Sequence, residues 1–372
     1  MNMTFRSACL LLLASGGAVL AAQEPGTFDG RPVRILSNDK LSLAVRAIGG
    51  AMVQLVMKDE ASQLNPFEGL GHFVCVDGFG PVSKEEEAAG LPGHGEAHRV
   101  PWDVVSSEKK NGALTVEFAA TLPIVHENFR RKFTLVDGEN VVYIDSELES
   151  LLGFDRPINW GEHATIGGPF LEQGKTVTDM ASKRAMTRSY ESEAVDPPDH
   201  HELADFKEFT WPMAPTVNGA PANVRIAPTV TPLMDQTTSL MDTSRRLVYV
   251  TALHPGRQLL LGYVFRREEY PWTQMWDSYP GSGRRSSRGM EFAVQPFDLP
   301  RRDVIQANSM FDTPTYRWLP ANSKIASSFV MFYTSTPDGF AQVDDVVLEN
   351  GTLTIQDRTH GKSIVLKASR GL

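Results

Sequence analysis

Apolar and polar residues alternate with a period of two through much of the chain. The clearest runs are Val33-Arg34-Ile35-Leu36, Leu41-Ser42-Leu43-Ala44-Val45, Leu114-Thr115-Val116-Glu117-Phe118 and Arg131-Lys132-Phe133-Thr134-Leu135, joined by the continuous apolar run Val141-Val142-Tyr143-Ile144. Such patterns predict strands, half-buried where they alternate and fully buried where they do not. Ser37-Asn38-Asp39, Lys110-Asn111-Gly112 and Asp137-Gly138-Glu139-Asn140 stand between the runs, and these residues favour tight hairpin turns. The pattern continues through Leu247-Val248-Tyr249-Val250, Gln258 to Phe265, Phe329 to Tyr333 and a closing hairpin around Glu349-Asn350-Gly351. Helical periodicity is scarce, and its best example is the short acidic stretch Ser83 to Ala89. The Pro/Gly-rich segment Ala214 to Pro232 reads as a long surface loop. With no internal repeat and no low-complexity linker, residues 23–372 are expected to form a single all-β domain of two packed antiparallel sheets.

Residues 1–22 read differently. Arg6 precedes the apolar run Ala8 to Leu20, which ends in Ala21 and Ala22 before Gln23 and Glu24. This is the order of a secretory signal peptide, and it predicts export to the periplasm or the medium. The run is too short for a comfortable membrane span. Cys9 would leave with the leader, so Cys75 would remain alone and no intramolecular disulfide is expected. Within His72-Phe73-Val74-Cys75-Val76 that cysteine reads as a small core residue.

The 36 Lys+Arg against 45 Asp+Glu leave a net charge of −9 with the basic residues scattered, which argues against a nucleic-acid partner. An acidic surface also favours neutral over anionic ligands, unless local charge in a cleft overrides it.

Four segments crowd chemistry-bearing residues together. Gly93 to Trp102 holds His94, Glu96, His98, Arg99 and Trp102. It could line a ligand pocket or be a plain loop; Gly95 and Pro101 argue against a helix that would aim His94 and His98 at one metal. Pro157 to Phe170 contains Trp160-Gly161-Glu162-His163, an imidazole beside an aromatic ring that could serve a sugar. Its Gly and Pro residues are expected to end the preceding strand ladder, and a histidine satisfied by backbone carbonyls is the plainer reading. Tyr270 to Tyr279 has four aromatic residues, with Trp272 suited to the core and Trp276-Asp277 to recognition. Arg288 to Phe297 is strand-like but interrupted by Glu291, a carboxylate that must be solvated, paired with Arg288, or functional. His200-His201-Glu202 reads as solvated loop.

In this order the motifs resemble those of the aldose 1-epimerase, or galactose mutarotase-like, family. They run from Leu41–Gly50 and Asn65-Pro66 through His94-Gly95 to Pro101-Trp102, then Trp160-Gly161-Glu162-His163, and finally Glu291 to Pro296. The resemblance spans roughly residues 30–335. It implies a large antiparallel β-supersandwich that binds a sugar in a cleft on one sheet and interconverts its anomers without metal or cofactor. It also implies Glu291 as general base, His163 as general acid and His94 as a sugar-holding histidine, with Arg99 and Asp277 as further substrate contacts; Trp160 and Trp276 are candidate substrate contacts from their own aromatic setting. Two departures from the family pattern are His163-Ala164-Thr165-Ile166, where His-Pro-x-Phe is usual, and an acidic residue displaced to Asp298. Two alternatives stay open on the same fold: a protein that binds sugar or oligosaccharide without turnover, and a polysaccharide lyase-like enzyme. Oligomeric state is not readable from the sequence.

Overall fold

The computed structural model describes residues 23–191 and 200–372, so the expected leader at residues 1–22 lies outside it. Strand accounts for about 52% of the chain and helix for 4%, which leaves sheet as the only framework on which a site can be built. The nine central strands of the larger sheet are β1 (Arg31–Ser37), β2 (Leu41–Arg46), β3 (Met52–Met57), β4 (His72–Val76), β5 (Trp160–Gly167), β6 (Ser182–Thr187), β7 (Leu233–Met241), β8 (Trp272–Tyr279) and β9 (Ser287–Ala293). Their spatial order is β1-β2-β3-β4-β5-β9-β8-β7-β6, with Glu24–Phe28 and Glu208–Thr210 at the two edges. Every pairing between them is antiparallel. A second sheet of eight strands packs against it, and most of its members are the expected hairpins between residues 103 and 150 and between 247 and 266.

The core lies between the two sheets. Phe265 of the smaller sheet stacks on Phe292 of β9, with ring centroids 4.4 Å apart and planes 9° apart. Trp160 of β5 meets Phe129 edge-on at 5.8 Å. Offset and edge-on contacts of this kind are the favoured aromatic geometries. A C-terminal three-stranded sheet, Asp345–Glu349 with Thr352–Asp357 and Lys362–Lys367, adds Val346, Leu353 and Ile355 to the same core cluster.

The acidic helix forms as Lys84–Ala88, capped by Ser83 and Glu86 in a reciprocal capping box. A second helix, Arg301–Ala307, was not expected, because its seven residues are too few for helical periodicity to show. The larger correction concerns Trp160-Gly161-Glu162-His163. Its glycines do not end the ladder; the segment is β5, a fully buried strand at the middle of the large sheet. Gly161 is needed there because a Cβ would lie 2.2 Å from the Phe79 ring, which crosses the strand. None of the described helices is long and apolar enough to cross a membrane.

Candidate functional site

Residues directly opposite one another on neighbouring antiparallel strands share a face, and each successive residue switches face. The observed register therefore sorts the candidates. Phe73 on β4 pairs with His163 on β5, and the β5–β9 register sets His163 opposite Glu291. Glu291 pairs with Gln274 on β8, Gly289 pairs with Trp276, and Trp276 pairs with Gln236 on β7. These residues line the outer face of the large sheet, turned away from the core. Trp160, Glu162, Asp277 and Arg288 occupy the alternate positions and point inward.

Glu291 and His163 meet directly. His163 Nε2 lies 3.3 Å from Glu291 Oε1, and His163 Nδ1 lies 3.0 Å from Thr165 Oγ1. They are only 2% and 5% exposed, and Glu291 has no other ion-pair partner among the described residues. Burial pushes the Glu291 carboxyl up to about 8, partly offset by the more distant Arg188 guanidinium. Burial and the nearby His94 hold His163 well below its ordinary value. At neutral pH these directions leave Glu291 as the acid, donating to Nε2 of a neutral imidazole whose Nδ1–H donates to Thr165. Gly289 makes room for this, since a Cβ there would come within 2.5 Å of Glu291 Oε1.

Aromatic and imidazole rings frame the pair. Phe73 stacks on His163 at 4.4 Å and 15°, Trp276 approaches it at 6.2 Å, and His94 meets it edge-on at 5.0 Å. His94 sits at φ +65, a left-handed conformation uncommon outside glycine and often associated with function. Its backbone N–H donates to the Gly80 carbonyl at 2.9 Å, while its Nδ1 accepts from the Gly80 N–H at 3.1 Å. That leaves Nε2–H as the free donor of a neutral ring, and burial lowers the pKa to about 4. Cys75 is fully buried as expected but on this outer face, with Sγ 3.6 Å from His94 Nδ1.

No protein-family model matches the sequence, and no curated protein matches it. Solved structures match in shape. A galactose mutarotase-like protein from Clostridium acetobutylicum superposes with a TM-score of 0.58 at 11% identity, over 84% of this chain and 98% of its own. The fold is galactose mutarotase-like. A candidate aldose 1-epimerase from Klebsiella pneumoniae gives 0.57 at 12% identity, over 85% of this chain and 82% of its own. A TPR-domain containing protein from Parabacteroides distasonis gives 0.55 at 11%, over 91% of this chain but 52% of its own, so the mutarotase-like sandwich also occurs within longer proteins. Identities this low establish the fold alone.

On that mutarotase-like framework, the structure brings together Glu291, His163, His94 and Trp276, and it removes two expected contacts. Trp160 is fully buried in the core among Phe129 and Tyr270. Asp277 faces inward, where Arg288 grips its carboxylate at 2.8 and 3.1 Å and also donates to the carbonyls of Val224 and Arg225. The pairing considered for Glu291 with Arg288 is thereby excluded. Arg99 is exposed and donates from Nε to His98 Nε2 at 3.0 Å. Asn65 pins the loop after β3, accepting from the N–H groups of Leu55 and Phe67.

Sequence reasoning missed three residues on the outer face. Gln236 donates to Gln274, and Gln274 to the Gln295 carbonyl, which continues a polar row beside Trp276. Polar residues at alternate positions of an otherwise buried strand were the available signal. Arg188, directly after β6, donates its N–H to the Gln236 carbonyl and its guanidinium to Asp298. Nothing in the local sequence marks it. The displaced acidic residue, Asp298, is thus the partner of Arg188. His201 lies beside Tyr190, with ring centroids 6.0 Å apart.

Proposed function

We propose that this protein is an aldose 1-epimerase-like enzyme that opens and recloses a sugar ring at the Glu291–His163 pair. The observation that carries the reading is the direct contact between a buried carboxyl and a buried imidazole on a face framed by Trp276, Phe73 and His94; in this reading the pair shares one proton. Mutarotation moves one proton off the anomeric hydroxyl and one onto the ring oxygen. Shifting the shared proton from Glu291 to His163 turns the resting pair into a carboxylate base and an imidazolium acid, with no change in total charge. The carboxylate accepts the anomeric proton, the imidazolium supplies the ring oxygen, and the C1–O5 bond breaks to give the open-chain aldehyde. Rotation about C1–C2 and the reverse transfers close the other anomer. A neutral His94, with Nε2–H free, donates a hydrogen bond to a sugar oxygen without competing for the proton. Trp276 supplies a ring for the C–H face of the sugar.

Polarimetry on freshly dissolved α-glucose and α-galactose tests this. Glu291→Gln and His163→Ala should each slow enzymatic mutarotation by about a hundredfold or more, the usual scale for a positioned acid or base. A wild-type rate equal to buffer across a broad panel of sugars, with binding retained, would instead make the protein a sugar-binding module. Export belongs to the same proposal: the mature chain recovered outside the cytoplasm should begin near Gln23, a point that N-terminal sequencing checks.

A further inference from the structure

The outer face does not stop at the Glu291–His163 pair. It continues across β4, β3 and β2 toward the N-terminal edge, where Val33, Ala44 and Val53 form an apolar floor of their own. A cleft of about 490 Å³ opens there, lined by Arg31, Arg46, Ile48, Leu70, Phe73 and His98 among others. Phe73 belongs to both places, since its ring also stacks on His163. The cleft is therefore an extension of the candidate site.

Its charge is one-sided. Among the described residues no carboxylate lines it. Among the described residues Arg31, Arg46 and Arg99 enter no ion pair, whereas the buried arginines elsewhere on this sheet are matched, Arg188 by Asp298 and Arg288 by Asp277. Arg46 Nη1 donates to the Phe28 carbonyl at 2.5 Å and its guanidinium lies 5.5 Å from the Phe28 ring, which holds the group in place. Burial and repulsion from Arg31 weaken its hold on the proton by more than Asp29 restores. On a chain of net charge −9, two neighbouring guanidinium groups without a bound carboxylate form a cationic end to an otherwise apolar cleft.

Reach decides what would fill it. Strands lie about 4.8 Å apart, so His163 on β5 and Arg46 on β2 are separated by three strand spacings, roughly 14 Å. One pyranose ring does not span that distance; two linked rings do. We propose that the cleft between Phe73 and Arg46 is a second sugar subsite that takes a uronate unit, linked to the sugar at the Glu291–His163 pair, with its carboxylate held by Arg31 and Arg46. This rests on the proposed function and narrows its substrate class from a neutral monosaccharide to the end of an acidic oligosaccharide. It reverses the preference for neutral ligands that net charge suggested.

Calorimetric titration of the full chain with two matched pairs tests it: cellobiose against cellobiuronic acid, and galactobiose against the same disaccharide with galacturonate only at its non-reducing end. In at least one pair the acidic member should bind about tenfold more tightly, the scale of a charge-assisted contact. Arg31→Gln, at an exposed position, should reduce that preference, and the Arg31→Gln/Arg46→Gln double variant should abolish it. Raising the salt concentration should shrink the preference as well. Equal affinity within both pairs, or a preference that survives the double variant, would overturn the subsite. If glucose or galactose binds but no disaccharide does, the subsite falls while the proposed function stands; if no sugar binds at all, both fall.

Discussion

The large sheet carries two histidine–glutamate pairs that share strand β5, one on each face. On the inner face His72 Nε2 lies 3.0 Å from Glu162 Oε2, and on the outer face His163 Nε2 lies 3.3 Å from Glu291 Oε1. Both pairs are buried, and one member of each, Glu162 and His163, are neighbours in the chain. What separates them is the third partner. Arg131 Nη2 donates to Glu162 Oε1 at 2.5 Å, Tyr270 OH donates to the same oxygen at 3.3 Å, and Arg131 Nε is satisfied by Ser146. Burial works against the Glu162 anion, yet Arg131 and His72 hold its carboxyl below the ordinary range. Glu291 has no such cation in contact, and burial pushes it up to about 8. The inner pair is a locked ion network; among the described residues no arginine or lysine contacts the outer carboxyl. A saturated polar cluster specifies a fold, whereas an unsaturated one facing outward has capacity left for a ligand.

Breaking the inner network gives the largest expected effect. Arg131→Ala leaves the Glu162 charge buried without its cation, so stability should fall by about 3–5 kcal/mol, measured by denaturant unfolding. Stability should respond to pH in opposite senses at the two carboxyls. Glu162, with its folded pKa depressed, contributes stability above the unfolded value near 4.3 that is lost as pH falls. Glu291, with its folded pKa raised, holds its proton while the unfolded chain releases it, so its contribution is lost as pH rises from about 4.3 toward about 8. Glu291→Gln should therefore leave stability unchanged near pH 4 and raise it by a few kcal/mol at pH 8. Unfolding curves at both pH values check the sign.

Smaller effects follow on the outer face. Gly289→Ala would press a methyl group onto Glu291 Oε1 and should cost about 1–3 kcal/mol along with the His163 contact, visible as a changed histidine resonance. Asp298→Asn frees Arg188 from its partner and should lower the Glu291 pKa, whereas Arg188→Gln should raise it; carboxyl-carbon NMR titration reads both shifts.

The same alternation explains what the sequence disclosed and what it concealed. The meander was legible because period-two runs and turns such as Ser-Asn-Asp, Asn-Gly and Asp-Gly are local signals, and they placed the hairpins between residues 31–46, 103–122 and 345–357 correctly. Glu291 and His163 were legible as titratable groups at strand positions within a recognisable order of motifs. Trp160 and Asp277 were misplaced because each was grouped with a near neighbour, His163 or Trp276, at a spacing that a strand sends to the opposite face. That β5 is a strand at all was hidden by Gly161, whose role is to admit Phe79 from elsewhere. Arg188, Gln236 and Gln274 share the site only through the β6-β7-β8 pairings, which no local pattern encodes.

The central claim is that the outer pair forgoes stability in order to keep an exchangeable proton beside a bound sugar. Anomer-exchange NMR and thermal unfolding on one sample each of wild type and Glu291→Gln, at pH 7.5, test it together. The account predicts that the variant loses about a hundredfold or more in anomer exchange while its Tm rises. Wild-type exchange no faster than buffer, or a variant that exchanges normally with an unchanged Tm, would contradict it.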